Sequence, residues 1–260
     1  MTAQEAAGWL ELTKIMRLLR GESGCPWDKE QTHESLKRYL LEESYEVLDA
    51  IDSSDDVALC DELGDVLLQV VFHAQIAAEE KRFTINDVLA AVNGKMKRRH
   101  PHVFDEGSAA DAAAVLAQWE TIKAGEKSTG GGERHIMKLN DNLPALLLAQ
   151  KVQEKAARVG FDWPDISGPW QKMHEELGEL KQAESREERH DELGDAMFAL
   201  VNLARFFELD AEDSLRHAVK KFIARFNHME NRLAESGQVW EDSSLADLDS
   251  LWKEAKSLGL

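Results

Sequence analysis

Apolar residues recur at intervals of three and four positions along most of this chain. This spacing places their side chains on one face of an α-helix. Thr84, a favourable N-cap residue, and Pro101, which cannot continue a helix, mark the two ends of one such segment. In the first half the pattern predicts helices at residues 9–20, 33–51, 57–80 and 84–100 and a further one from Ser108 or Asp111 to Ala124.

The second half shows the same periodicity. We expect the segment Ser167–Pro169 to cap one of its helices. No stretch of the sequence has the alternating, β-branched pattern typical of a strand. The predicted fold is therefore all-α, with helices in the second half at residues 143–159, 170–180, 187–207, 211–233 and 248–256.

One segment interrupts the helical pattern near the middle of the chain. Residues 125–134 are rich in glycine and polar side chains, a composition typical of a flexible linker. The chain has 260 residues, so each half is long enough to bury a core of its own. We expect two tandem four- to five-helix bundles, with domains at 1–125 and 136–260 joined by a linker at 126–135.

The composition is that of a soluble globular protein with a strong negative charge. Hydrophobic residues make up 43% of the chain, charged residues make up 31%, and the net charge is −18. This charge repels nucleic acids and anionic membranes, and no apolar run approaches the roughly 20 residues of a membrane span. We therefore expect no nucleic-acid or membrane partner, and a phosphate-bearing ligand would need cations beside it.

Two further features favour a cytoplasmic location. The N-terminus lacks the basic start and apolar block of a secretion signal. The two cysteines, Cys25 and Cys60, occur in unlike contexts, so a disulfide framework is not expected and reduced thiols are the simpler interpretation.

An acidic pattern occurs twice in the sequence. It reads E-E-x-x-E, then a short gap, then D-E-L-G-D in both copies. In each copy the two parts fall on consecutive predicted helices, which indicates an internal duplication. The first copy is Glu42–Glu46 with Asp61–Asp65, and the second is Glu175–Glu179 with Asp191–Asp195.

The spacing within each copy suits a metal site. Side chains three positions apart share a helix face, and acids that fall inside an apolar stripe are unfavourable unless a cation pairs with them. Two facing pairs of hard oxygen ligands suit Mg²⁺, with Mn²⁺ as a substitute. The candidate ligands are Glu43, Glu46, Glu62 and Asp65 in the first half and Glu176, Glu179, Glu192 and Asp195 in the second.

The alternative interpretation is a set of solvated acidic faces in an acidic protein. The placement of acids within the apolar stripes, the duplication, and a glycine in each D-E-L-G-D segment favour the metal site. Glycine inside a helix is unfavourable by about 1 kcal/mol. We expect a close approach of the partner helix to explain both Gly64 and Gly194.

Basic residues on later helices are candidates for phosphate binding, because side chains four apart share a helix face. An ordinary exposed basic face has the same spacing and is the alternative. Trp252 and Lys256 are candidates for a base contact and a phosphate contact, and a plain core position is the alternative for the tryptophan. The basic candidates are Lys221 and Arg225 in the second half and Lys95 and Arg99 in the first.

Four segments carry distinctive motifs: Gly24–Thr32 (GCPWDKEQT), Leu41–Glu46, Glu62–Asp65 and Arg99–Phe104 (RHPHVF). Together they resemble the MazG nucleoside triphosphate pyrophosphohydrolases, and the likeness covers nearly the whole chain. The resemblance implies an all-α, magnesium-dependent enzyme, usually a homodimer. Such an enzyme splits nucleoside triphosphates into the monophosphate and pyrophosphate.

The resemblance also implies roles for individual residues. A carboxylate such as Glu175 or Glu179 would orient water for attack at the α-phosphorus, and Glu192 completes the implied catalytic set. The implied metal ligands are the two sets of four acids named above. The implied nucleotide contacts of the second half are Lys172, Glu175, Asp191, Lys221, Arg225, Trp252 and Lys256.

Two other functions remain open besides a pyrophosphohydrolase with broad base tolerance. One is a related all-α pyrophosphohydrolase with a narrow substrate, such as dUTP, dCTP or a phosphoribosyl nucleotide. The other is a non-catalytic helical adaptor that binds nucleotide.

Overall fold

The computed structural model describes residues 3–105 and 142–260 and, between them, residues 111, 112, 114, 115, 118, 119, 121, 122, 125 and 137. Every regular element in these ranges is helical, so the prediction of an all-α fold is confirmed. The chain divides into two compact units, Met1–Gly132 (unit 1) and Glu133–Leu260 (unit 2). The predicted linker at 126–135 lies outside the described residues, and the proposed domain bounds stay a prediction.

Unit 1 is built on a pair of long helices joined by two residues. The connection is formed by Ser54, which has a left-handed backbone with φ 55°, and by Asp55, whose carboxylate accepts hydrogen bonds from two backbone N–H groups of the next helix. Such a short connection makes the two helices antiparallel neighbours. The labelled helices are α1 (Ala3–Leu19), α2 (Pro26–Glu30), α3 (Lys37–Ser53), α4 (Asp56–Glu79), α5 (Ile85–Arg99) and α6 (Pro101–Phe104).

The core of unit 1 lies at the end of α4 away from that connection. Burying these apolar side chains is the main favourable contribution to the stability of the unit. Described positions between residues 112 and 125 are also helical, in agreement with the predicted helix there. The buried core residues are Met16, Leu36, Val71, Phe72 and Ile76.

Unit 2 contains a similar helical hairpin. Its two helices are joined by residues 183–185, and Ser185 begins the second helix with a capping box in which Glu188 takes part. A later helix ends at Gly237, whose φ of 70° is a left-handed conformation that glycine adopts readily. The helices are α7 (Ala145–Arg158), α8 (Ser167–Gln182), α9 (Arg186–Phe206), α10 (Ala211–Ser236) and α11 (Leu245–Ser257).

Several predicted helix boundaries differ from the observed ones. The segment Ser167–Pro169 does not cap α8 but forms its first turn, because the carboxylate of Asp165 accepts the hydrogen bond from the Ser167 backbone N–H. The predicted helix at 33–51 begins at Lys37, after a turn in which Thr32 and Ser35 exchange hydrogen bonds.

The explanation offered for the two glycines is wrong within each unit. A Cβ atom added at Gly64 or at Gly194 would meet no other atom within 4 Å. Both positions lie on an open face of their helix, so helix–helix packing within the described chain does not require glycine at either one.

Two smaller expectations can be compared with the structure. Cys25 and Cys60 are both free thiols, as predicted. Among the described helices, none is both long enough and apolar enough to cross a membrane.

Candidate metal and nucleotide site

The first acidic cluster lies across the hairpin of unit 1. Glu43 is on α3, and Glu62 and Asp65 are on α4; one carboxylate oxygen from each lies within 4.8 Å of the others. Glu46 lies within hydrogen-bond distance of the side chains of Glu43 and Glu62. The structure therefore brings together all four acids predicted for this half, and we refer to them as the first cluster.

The acids of the first cluster repel one another. Partial burial raises the pKa of Glu43 above its usual range, and the neighbouring Asp65 and Glu46 raise it further. The pKa of Glu62 is raised by the same two effects, burial first and then Glu46. A cation among these oxygens would favour their ionised forms and reverse these shifts.

The second cluster lies across the hairpin of unit 2. One group of close oxygens comes from Glu175, Glu176 and Glu179 on α8, and another joins Glu176 to Glu192 and Asp195 on α9. Glu176 belongs to both groups and is only 3% exposed. These five acids form the second cluster, with Glu176 at its centre.

Glu192 provides the clearest test of whether a metal ion fits. Its Oε2 atom is buried and has no hydrogen-bond partner within the described structure. Burial raises the pKa of Glu192, and the nearby carboxylates of Glu179, Glu176 and Asp195 raise it further. A buried acceptor without a donor, surrounded by other carboxylate oxygens, fits a hard divalent cation such as Mg²⁺ or Mn²⁺.

Unit 2 contains a cation that unit 1 lacks at the matching position. The Nζ atom of Lys172 donates a hydrogen bond to Glu175 Oε1 at 2.8 Å and also contacts Glu176. These contacts raise the pKa of Lys172 well above its usual value. The residue at the corresponding place in unit 1 is Tyr39, since 39 and 172 are separated by the same 133 positions as Glu43 and Glu176.

The predicted nucleotide contacts on later helices form a separate group. The guanidinium of Arg225 on α10 lies 5.4 Å from the ring centroid of Trp252 on α11, and its Nε donates to the backbone oxygen of Leu260 at 2.7 Å. Trp252 also packs against Phe222, with ring centroids 5.2 Å apart. The described contacts of Arg225 and Trp252 thus join them to each other and to their neighbours, and not to the second cluster.

The remaining predicted contacts lie on the surface. Lys221 and Lys256 are exposed on α10 and α11, and Asp191 is exposed near the start of α9. In unit 1, Lys95 is exposed and Arg99 is half-buried on α5. The fold leaves these side chains accessible to a ligand.

Comparison with known proteins identifies the family. A family model described as the MazG nucleotide pyrophosphohydrolase domain matches residues 31–104. A Thermotoga maritima protein named nucleoside triphosphate pyrophosphohydrolase/pyrophosphatase MazG is 49% identical over 246 residues, which are 95% of this chain and 94% of that protein. The chain belongs to the MazG family. A nucleoside triphosphate pyrophosphohydrolase of Escherichia coli K12 is 44% identical over 250 residues, covering 94% of this chain and 95% of that protein.

The MazG domain match spans the first cluster, and the two relatives extend the similarity over both units. One side chain of this MazG chain was not predicted from spacing. The resemblance alone made Lys172 a candidate nucleotide contact, although it precedes Glu175 by three positions and Glu176 by four. That K-x-x-E-E spacing predicts ion pairs on one face of a helix and is the signal that could have found it.

Proposed function

We propose that this chain hydrolyses nucleoside triphosphates to the monophosphate and pyrophosphate, with Mg²⁺ at the second cluster and Mn²⁺ as a substitute. Membership of the MazG family makes it a hydrolase. The observation that carries the metal-dependent proposal is the second cluster, in which the predicted ligands Glu176, Glu179 and Asp195 lie around Glu192, whose Oε2 has no hydrogen-bond partner in the described structure.

The proposed roles follow from position and chemistry. Glu176, Glu179, Glu192 and Asp195 would hold the ion, which supplies positive charge opposite the triphosphate oxygens. Glu175 and Glu179 are exposed carboxylates of the second cluster. One of them would orient the attacking water and accept its proton, and Glu192 completes the catalytic set.

The nucleotide would be held by the basic and aromatic residues of α8, α10 and α11. Trp252 is half-buried, and an indole ring can stack on any base, which supports broad base tolerance. Cations would contact the phosphates and offset the overall negative charge of the protein. The proposed contacts are Lys172, Glu175, Asp191, Lys221, Arg225, Trp252 and Lys256, with Lys95 and Arg99 in the corresponding places of unit 1.

The reaction can be tested with isotope-labelled water. Turnover of ATP in H₂¹⁸O is expected to place the label in the monophosphate, as attack at the α-phosphorus requires. Label in pyrophosphate would contradict the proposal. Glu192→Gln is expected to abolish magnesium-dependent pyrophosphate release, whereas Glu187→Gln, an exposed glutamate in the first turn of the same helix, should leave it unchanged.

The same assay separates the alternative functions. A panel of ribo- and deoxyribonucleoside triphosphates distinguishes broad tolerance from a narrow substrate such as dUTP or dCTP, and phosphoribosyl-ATP is tested beside them. A nucleotide-binding adaptor would bind without releasing pyrophosphate. Unchanged turnover in Glu192→Gln would refute the proposed site.

A homodimer is also part of the proposal. Leu215, Val219, Phe222 and Ile223 form one apolar face along α10, and each side chain is about half exposed. A contiguous exposed apolar face is typical of a protein interface. Val219→Glu should therefore shift the mass measured by light scattering from dimer to monomer, and His217→Glu, on the opposite face of α10, should not.

The two free cysteines suit a reducing compartment, and we propose that the enzyme acts in the cytoplasm.

A further inference from the structure

Lys172 contacts the acid at the centre of the second cluster. Its ammonium contacts Glu175 and Glu176, and Glu176 is the acid that belongs to both groups of close oxygens. The side chain of Glu176 is 4% exposed, so almost no water reaches it. Lys172 is therefore the counter-charge that the described structure provides for the most buried acid of the cluster.

An ammonium and a divalent ion compete for this acid. Both are positive and both require the oxygens of Glu176, and two cations held a few ångströms apart repel each other strongly where water is excluded. Lys172 is 42% exposed and has four rotatable bonds, so it can leave Glu176 without disturbing the packing of α8. Metal binding at Glu176 would thus release the ammonium.

In the described part of unit 1, the position that matches Lys172 holds no such competitor. Tyr39 is neutral, its hydroxyl contacts Arg38, and its ring packs edge-on against Trp27 with ring centroids 5.9 Å apart. Burial raises the pKa of Glu43, and the neighbouring groups that raise it further, Asp65, Glu46 and Glu62, are all carboxylates. The two clusters therefore have similar acids, but before metal binds only the second has a lysine ammonium at this position.

We propose that Lys172 is a displaceable counter-cation: a divalent ion binding at Glu176 releases its ammonium, which then binds the triphosphate. The proposal rests on the proposed function, since it assigns a metal ion to the second cluster. It predicts that unit 2 binds metal alone more weakly than unit 1. It also predicts that the charge of Lys172 weakens metal binding but strengthens nucleotide binding.

The experiment measures Mn²⁺ alone, by the electron paramagnetic resonance signal of the free ion, on the full chain. Asp65→Asn removes a ligand of the first cluster and leaves unit 2 as the reporter. In that background, Lys172→Met and Lys172→Gln should each bind Mn²⁺ about tenfold more tightly, an effect within the usual range of coupling between sites. Lys172→Arg keeps the charge and should retain the weaker affinity. Lys181→Met, an exposed lysine on the same helix, is the matched control.

A second readout separates displacement from a structural role. At saturating metal, loss of the Lys172 charge should raise the KM for ATP about tenfold, because no ammonium is then present to bind the phosphates. A merely structural lysine would weaken both metal and nucleotide binding when replaced. Unchanged or weaker Mn²⁺ binding in Lys172→Met and Lys172→Gln would overturn the proposal.

A third comparison needs no substitution at Lys172. The chain with Asp195→Asn reports on unit 1, and it should bind Mn²⁺ more tightly than the chain with Asp65→Asn, which reports on unit 2. Equal or reversed affinities would overturn the proposal as well. If none of these proteins binds Mn²⁺, the metal site of the proposed function is refuted. If Mn²⁺ binds with the same affinity whether or not Lys172 is replaced, only the displacement is refuted.

Discussion

Replacing Glu192 by glutamine should change the stability of unit 2 in opposite directions with and without metal. Burial and three neighbouring carboxylates raise the pKa of Glu192 in the folded chain. An acid with a raised folded pKa loses stability as pH rises from its unfolded value through its folded value, and above that range the loss is complete. In metal-free buffer at pH 7.5, Glu192→Gln should therefore raise the unfolding temperature of unit 2, since the amide keeps the size and removes the charge.

Magnesium should reverse the order. At a free ion concentration about 100 times Kd, binding stabilises the native state by about 2.7 kcal/mol. For a unit of this size that corresponds to a rise of roughly 10 °C in unfolding temperature. Loss of one of the four converging oxygens should weaken binding by about 100-fold, and at the same ion concentration the stabilisation then falls to about 0.4 kcal/mol.

Differential scanning calorimetry in EDTA and in MgCl₂, with ionic strength matched by NaCl, measures both effects. Glu187→Gln controls for the loss of one negative charge on α9, because Glu187 is exposed in its first turn. Two results would refute the reasoning. A lower unfolding temperature for Glu192→Gln in EDTA would show that the charge of Glu192 does not destabilise the metal-free unit. An undiminished rise in unfolding temperature with MgCl₂ would show that Glu192 is not a ligand.

Three further predictions follow from other parts of the fold. Asp195→Asn should lower kcat/KM for ATP by about 100-fold, whereas Asp65→Asn should leave most turnover intact. Steady-state kinetics on both variants locate the active unit. A larger loss of kcat/KM in Asp65→Asn than in Asp195→Asn would place the activity in unit 1. Burial lowers the pKa of His73, and so does His33, whose Nδ1 lies 2.7 Å from that of His73. Unit 1 should therefore lose stability as pH falls below about 6.5. Unfolding temperatures from pH 8 to 5.5 check this, and His73→Gln should make them less dependent on pH. Gly194→Ala should stabilise unit 2 by up to about 1 kcal/mol in urea unfolding, because a Cβ there meets no other atom; destabilisation would show that a second chain packs at this position.

The helices and the acidic clusters were predictable because both depend on spacing along the chain. Apolar residues three and four apart identify α3 and α4, and Glu43 and Glu62 lie within those stripes. Once the short connection at residues 54 and 55 makes the helices antiparallel, acids two to three turns from it on either side must face each other. The site geometry thus follows from local pattern and loop length.

What spacing could not predict depends on tertiary packing. The glycine of each D-E-L-G-D segment was expected to face a neighbouring helix, but the rotation of α4 and α9 turns both glycines to an open face. Ser167 was expected to cap α8, yet it lies in the first turn, where its backbone N–H donates a hydrogen bond to Asp165. The contact between Arg225 and Trp252 depends on how α10 and α11 pack, which periodicity does not specify.

Each carboxylate set is contained in a single hairpin, and this affects how the chain could diversify. A duplication that copies one hairpin copies every acid of the set together with the turn that aligns them. Afterwards each copy can change its surroundings while retaining the aligned acids. The difference between Tyr39 and the matching Lys172 is such a change. A single substitution alters the charge beside the acids of one copy and leaves the other copy unchanged.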